Sequence, residues 1–153
     1  MVRLSVGDRL LLIAVLAAFG AVDAGYLVYE WYAPSGWCDL NDVFSCSKVR
    51  ESVWSAVAGI PTATVGLVGF SVLLALAVLA LRGTERIGPW TTFRWLLVFA
   101  IIGAGVGFGL TLVEIFAIHA VCILCALGFG LDLAVLGLAV TLPREVQSAS
   151  RSE

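Results

Sequence analysis

Residues 120–142 read AVCILCALGFGLDLAVLGLAVTL, an apolar run with Asp132 as its one charged residue and Cys122 and Cys125 at its start. At about 1.5 Å per residue, a helix of this run is long enough to cross the roughly 30 Å of a bilayer's hydrocarbon. Three runs of the same kind precede it, at about residues 10–32, 61–81 and 95–113. The second and third contain no Asp, Glu, Lys or Arg, whereas the first carries Asp23 and Glu30 in its second half. Backbone groups in lipid must find their partners within the segment, so each run is expected to be a helix. Four such helices make a bundle. The expectation is therefore an all-α membrane protein, a single domain over residues 1–153, with a long loop at about residues 33–60.

Composition agrees. The chain has 153 residues, 61% apolar and 13% charged, with a mean hydropathy of +1.04. A soluble domain has about 45–50% and 25%. The net charge of −2 is too small to imply nucleic acid or an acidic partner. Arg3, Arg9 and the apolar run that follows, with small residues at 21–24, resemble a cleaved leader. Aromatic and aliphatic residues continue to Tyr32, so a retained first helix is expected.

The positive charges orient the bundle. With four helices, both termini and the 82–94 loop share a side, which holds Arg3, Arg9, Arg82, Arg86, Arg94, Arg144 and Arg151. Lys48 and Arg50, in the long loop, are the other two of the nine Lys and Arg residues. Seven against two is a positive-inside asymmetry, which makes the termini cytoplasmic and the long loop external. Trp31, Trp37 and Trp54 then form an outer aromatic belt, with Trp90 and Trp95 on the inner side.

This orientation places all four cysteines without having used them. Cys38 and Cys46 lie in the outer loop, and Cys122-Ile123-Leu124-Cys125 falls in the first turn of a helix that starts outside. That compartment permits disulfides. Cysteines at i and i+3 share a helical face, and a helix N-terminus stabilises a thiolate. The pattern reads as a redox dithiol at the membrane edge, where a lipid-soluble quinone is the natural electron acceptor. A loop dithiol can relay electrons to it from a soluble thiol protein by thiol–disulfide exchange.

Other readings exist for these residues. Four thiolates can hold zinc or an iron–sulfur cluster, but seven residues separate Cys38 from Cys46, more than the roughly two to four of usual sites, and no metal is expected. A non-enzymatic scaffold with structural disulfides is the alternative of a different class. Within redox chemistry, the unrelated quinone-coupled disulfide generator has its C-x-x-C first, in a loop, the reverse of the order here. His119, three residues before Cys122, reads as a helical neighbour of it or as an interfacial residue. Glu114 reads as an interfacial boundary residue. Asp23 shares a face with Tyr26 and Glu30, and Asp132 lies two turns below Cys125; acids at membrane depth suggest function by default. Gly103, Gly105, Gly107 and Gly109 give two overlapping small-xxx-small pairs, which read as helix packing.

Several of these motifs together resemble the vitamin K epoxide reductase family. They are Trp37-Cys38-Asp39 through Ser45-Cys46-Ser47, Ser52 six residues on, Gly59-Ile60-Pro61 followed by Gly66, and the late Cys122-Ile123-Leu124-Cys125. The resemblance covers about residues 10–142 and is to a prokaryotic-type member without a fused thioredoxin domain. It implies a four-helix bundle whose outer loop forms a partial helix capping a quinone pocket. It implies that Cys125 meets the quinone, that Cys122 pairs with Cys125, that Cys46 bridges transiently to Cys122, and that Cys38 exchanges with the partner. The implied pocket residues are Ser52, Trp54, Thr62, Val65, Leu110 and Phe129. The implied electron acceptor is menaquinone, vitamin K or ubiquinone. The implied donor is a thioredoxin-like thiol protein, expected to be separate because the chain ends at Glu153, soon after its fourth helix. Thr62 stands where vertebrate members have a quinone-bonding asparagine, and Phe129 where they have a tyrosine. Vertebrate-style quinone recognition is therefore not expected, and epoxide reduction is left open.

Overall fold

The computed structural model describes residues 4–151, with side chains described for residues 4–142. Arg3 lies outside the described residues, as do the side chains of Arg144 and Arg151. Among the described residues, four helices are long and apolar enough to span a membrane: Val6–Tyr32, Ala63–Leu81, Thr92–Ile118 and Ile123–Leu142.

The first helix, α1 (Val6–Tyr32), begins before the apolar run because Ser5 and Asp8 form a capping box. The Asp8 N–H donates to Ser5 Oγ at 3.2 Å and the Ser5 N–H to Asp8 Oδ2 at 3.0 Å, satisfying two orphan donors. A loop leads to the short helix α2 (Cys46–Glu51), which is the partial helix expected within residues 33–60. A two-residue hairpin then pairs β1 (Ala56–Val57) with β2 (Ile60–Pro61). Its central residues Ala58 and Gly59 both have positive φ, 52° and 80°, as a primed turn requires. This hairpin feeds α3 (Ala63–Leu81). A second hairpin, β3 (Arg86–Ile87) with β4 (Trp90–Thr91), turns the chain into α4 (Thr92–Val113). A π-helical turn at Glu114–Ile118 extends α4, and the chain then reverses into α5 (Ile123–Arg151).

Helix α1 packs against α3 and α5, and α4 packs against the same two, closing a ring of four. Close approach is made by glycine. A Cβ on Gly20 would meet the Phe70 ring at 2.4 Å, one on Gly103 the Asp132 carboxylate at 2.9 Å, and one on Gly107 the Phe129 ring at 2.5 Å. Of the two overlapping small-residue pairs, Gly103 and Gly107 face α5, whereas Gly105 and Gly109 face open space. Only one pair is used for packing.

The fully buried apolar cluster sits towards the end that carries the termini. Its centre is Ile13 and Ala17 of α1, Leu73 and Ala77 of α3, Leu96 of α4 and Val135 of α5, each at most 2% exposed. That end is closed by polar bonds of the second hairpin: Thr92 Oγ1 donates to the Thr84 carbonyl at 2.6 Å and the Trp95 indole to the Ile87 carbonyl at 3.0 Å. At the opposite end the buried groups change character. They include Glu30, Glu114, Ser45, Cys38 and Cys122.

Candidate active site

All four cysteines gather at this second end. Cys38 and Cys46 form a disulfide, with Cα atoms 5.6 Å apart, while Cys122 and Cys125 are free. Four cysteines allow three full pairings, and this structure holds one bridge and one dithiol instead.

Local sequence explains how the loop holds its pair. Asp39, next to Cys38, accepts from Ser45 Oγ at 2.8 Å, from the Ser47 N–H at 2.9 Å and from the Ser47 hydroxyl. These bonds, the Ser47 side chain first, bring the Asp39 carboxyl down to about 2. Asn41 Oδ1 accepts from the N–H groups of Val43 and Phe44 at 2.9 Å each, a side-chain-built turn. Ser45 caps α2 by accepting from the Lys48 N–H at 3.2 Å, which fixes Cys46 as the first helical residue. The loop is also tied to α1. The buried Glu30 carboxylate accepts from the Tyr26 hydroxyl and from both the N–H and hydroxyl of Ser35, and Arg50 of α2 lies 3.7 Å away.

The second pair is set by the α4–α5 reversal. The π-turn ends at His119 in the left-handed conformation, φ 56°. His119 is exposed and outside any helix. It is therefore not a helical neighbour of Cys122, because the helix expected from residue 120 begins at Ile123. Cys122 takes the cap position, and its Sγ accepts the Cys125 N–H at 3.3 Å. The expectation that both cysteines occupy the first turn is corrected accordingly: the helix end acts on Cys122. The hydrogen bond from the Cys125 thiol pulls the Cys122 thiol below its ordinary range, against the opposing effect of burial.

One strand-like contact joins the two pairs. Phe44 and Val121 form a parallel bridge, and the Val121 N–H donates to the Val43 carbonyl at 2.7 Å. It brings Cys122 Sγ to 3.4 Å from Cys46 Sγ. The sulfurs of Cys38, Cys46 and Cys122 all lie within 4.8 Å of one another, two of them already bonded together. A thiolate so close to a disulfide sulfur is placed for exchange through a mixed disulfide.

The six pocket candidates fall into two groups. Ser52 closes α2, its hydroxyl donating to the Val49 carbonyl at 2.7 Å, and Thr62 Oγ1 donates to the Trp54 carbonyl at 2.9 Å across the first hairpin. Trp54 and Val65 are 54% and 57% exposed. Leu110 is a partly buried residue of α4, one turn from Gly107, on which the Phe129 ring of α5 rests. A cleft of about 380 Å³ is lined by Trp31, Arg50, Glu51, Ser52, Val53, Ser55 and Ala56, so it draws on Ser52 alone among the six. A second, between α1 and α5, also of about 380 Å³, is lined by Phe19, Val22, Asp23, Tyr26, Trp37, Leu124, Leu127 and Leu131, and draws on none. Asp23 and Tyr26 both line this groove, and the Asp23 carboxylate also lies against Gly128, while the Tyr26 hydroxyl bonds Glu30.

The residue that sequence reasoning missed is Glu114. It is 5% exposed, and its Oε2 accepts the Cys122 N–H at 3.0 Å. Its signal was present: an acid closing an uncharged span is subject to the same rule that singled out Asp23 and Asp132.

Over residues 11–141 the chain matches the sequence model of the vitamin K epoxide reductase family. That is most of its 153 residues, and the chain belongs to this family.

Proposed function

We propose, proceeding from that membership, that the protein is a membrane thiol–quinone oxidoreductase that supports disulfide formation outside the membrane. Members of the family are oxidoreductases with disulfide chemistry in the membrane, linked in general to quinones. The observation that carries the finer reading is the 3.4 Å approach of the Cys46 and Cys122 sulfurs across two separate pairs. A scaffold has no use for two free thiols set against a bridge.

The sequence of exchanges balances as follows. A thiolate of a reduced thioredoxin-like partner attacks Cys38, releasing Cys46 as thiolate. Cys46 attacks Cys122 of a Cys122–Cys125 disulfide, forming the Cys46–Cys122 bridge and releasing Cys125. The partner's second thiol frees Cys38, which attacks Cys46 and restores the Cys38–Cys46 disulfide. Cys122 and Cys125 are then both reduced, the arrangement seen here. They close to a disulfide as two electrons pass to the quinone, which takes up two protons. The net change is partner dithiol plus quinone to partner disulfide plus quinol. Because Cys38 is only 6% exposed, the partner's attack requires the loop to open.

A quinone is the electron acceptor proposed for this site. Cys125 lies in the first turn of α5, at the end of the bundle where the cysteines gather, and Thr62, Ser52, Trp54, Val65, Leu110 and Phe129 are the residues proposed to hold the ring. Threonine at 62 can donate to the ring only by giving up its bond to the Trp54 carbonyl, whereas Phe129 offers only its face. The distribution of Lys and Arg supports cytoplasmic termini and external cysteines.

The test is quinone reduction driven by dithiothreitol in vesicles holding the full chain, with menaquinone, ubiquinone and vitamin K epoxide as separate arms. The wild-type chain reduces at least one quinone, and Cys125→Ala abolishes the reduction. Full activity in Cys125→Ala sinks the mechanism.

A further inference from the structure

The helix end and the Cys125 thiol both serve Cys122, so the geometry leaves Cys125 with a proton to lose and no N–H group among the described residues bonded to its sulfur. We infer that Glu114 is a further catalytic residue, the proton acceptor for the Cys125 thiol and the proton donor to whatever leaves. This rests on the redox role proposed above and deepens it.

Three observations converge. Glu114 is buried at the end of α4, where a carboxylate at membrane depth is costly unless it has a task. Its Oε2 is fixed by the Cys122 N–H at 3.0 Å, and the thiol of Cys125, whose own N–H meets Cys122 Sγ at 3.3 Å, is the carboxyl group's other hydrogen-bonding neighbour. Finally, a π-helical turn starts at Glu114 itself, and its carbonyl accepts the Ala120 N–H at 3.1 Å. Here the turn points a residue eight positions before Cys122 back at the dithiol.

The step balances. Cys122 is the thiolate and Cys125 the thiol. As Cys125 forms its new bond, its proton passes to the Glu114 carboxylate. The carboxylic acid then returns that proton to the departing group, either a thiolate or a reduced quinone oxygen, whose second proton comes from solvent. The electrons come only from the two sulfurs.

The decisive experiment needs no quinone. In a full-length chain with Cys38→Ser and Cys46→Ser, oxidised glutathione first forms a mixed disulfide at Cys122, and Cys125 then displaces glutathione to close the Cys122–Cys125 bridge. Mass spectrometry follows the two stages separately. Glu114→Gln keeps an oxygen for the Cys122 N–H but cannot take a proton. Closure is expected to slow by roughly 100-fold, the low end of general acid–base effects. Formation of the mixed disulfide is not slowed, since loss of the negative charge favours the Cys122 thiolate. Glu114→Asp, still an acid, closes faster than Glu114→Gln. Closure at the wild-type rate in Glu114→Gln, equal rates in the two variants, or equal slowing of both stages overturns the inference. Normal glutathione results in a chain whose wild type reduces no quinone would remove the proposed function and leave Glu114 its role.

Discussion

Asp39 illustrates how much of this site is built by small polar residues around one carboxylate. It anchors Ser45 and Ser47, and through them fixes Cys46 at the start of α2 and Cys38 against it. Asp39→Ala is expected to raise the rate at which dithiothreitol reduces the Cys38–Cys46 bridge several-fold, read by alkylation and mass shift. The pH behaviour follows from the direction of its shift. The folded carboxyl titrates at about 2, below its usual 3.8, so its contribution is complete above about 4 and fades as pH falls through 2. Reduction of the bridge, corrected for the reagent's own thiolate fraction, should therefore be flat from pH 5 to 8 in the wild-type chain. A steep change in that window would show that another group holds the loop. At this scale the cysteines were legible, because pairs of thiols in an apolar chain have few other uses. His119 was not, since one left-handed residue after the π-turn takes it out of the helix that spacing assigned to it, whereas Glu114 carried a signal, an acid closing an uncharged span, that was read only as a boundary.

Among the elements, helix existence was legible and helix ends were less so. Apolar runs located all four spans, but the Ser5–Asp8 box carried α1 back to Val6, and the cap at Cys122 delayed α5 to Ile123. Hydropathy registers neither, because caps are hydrogen bonds of single side chains. The alternating glycines of α4 show the same limit: spacing identified two candidate stripes, and packing selected one. Gly107→Ala drives a methyl into the Phe129 ring at 2.5 Å, whereas Gly105→Ala meets open space. Overpacking of this kind costs about 1–3 kcal/mol, while alanine improves helix propensity by about 0.5–1 kcal/mol. Thermal unfolding in detergent should therefore place Gly107→Ala below the wild-type chain and Gly105→Ala level with it or above. The reverse order would mean that the α4–α5 interface is rotated from the one described.

The whole molecule divides its labour along the bundle axis. Small and branched apolar side chains lock the half near the termini, where Ile13, Leu96 and Val135 are fully buried. The other half buries Glu30, Glu114, Cys38 and Cys122, a costly set that makes sense if electrons and protons are moved there. Four spans and a cysteine-bearing end could be read from composition and order. The contact that makes the two pairs one site could not, because the Phe44–Val121 bridge links segments far apart in the chain and neither has a strand's pattern. The central claim is that electrons cross between the pairs through Cys46 and Cys122. In the full chain carrying Cys38→Ser and Cys125→Ser, only those two cysteines remain. Mild oxidation followed by non-reducing peptide mapping should recover them joined to each other within one chain. Recovery of both as free thiols, or bridged only between chains, would contradict the account.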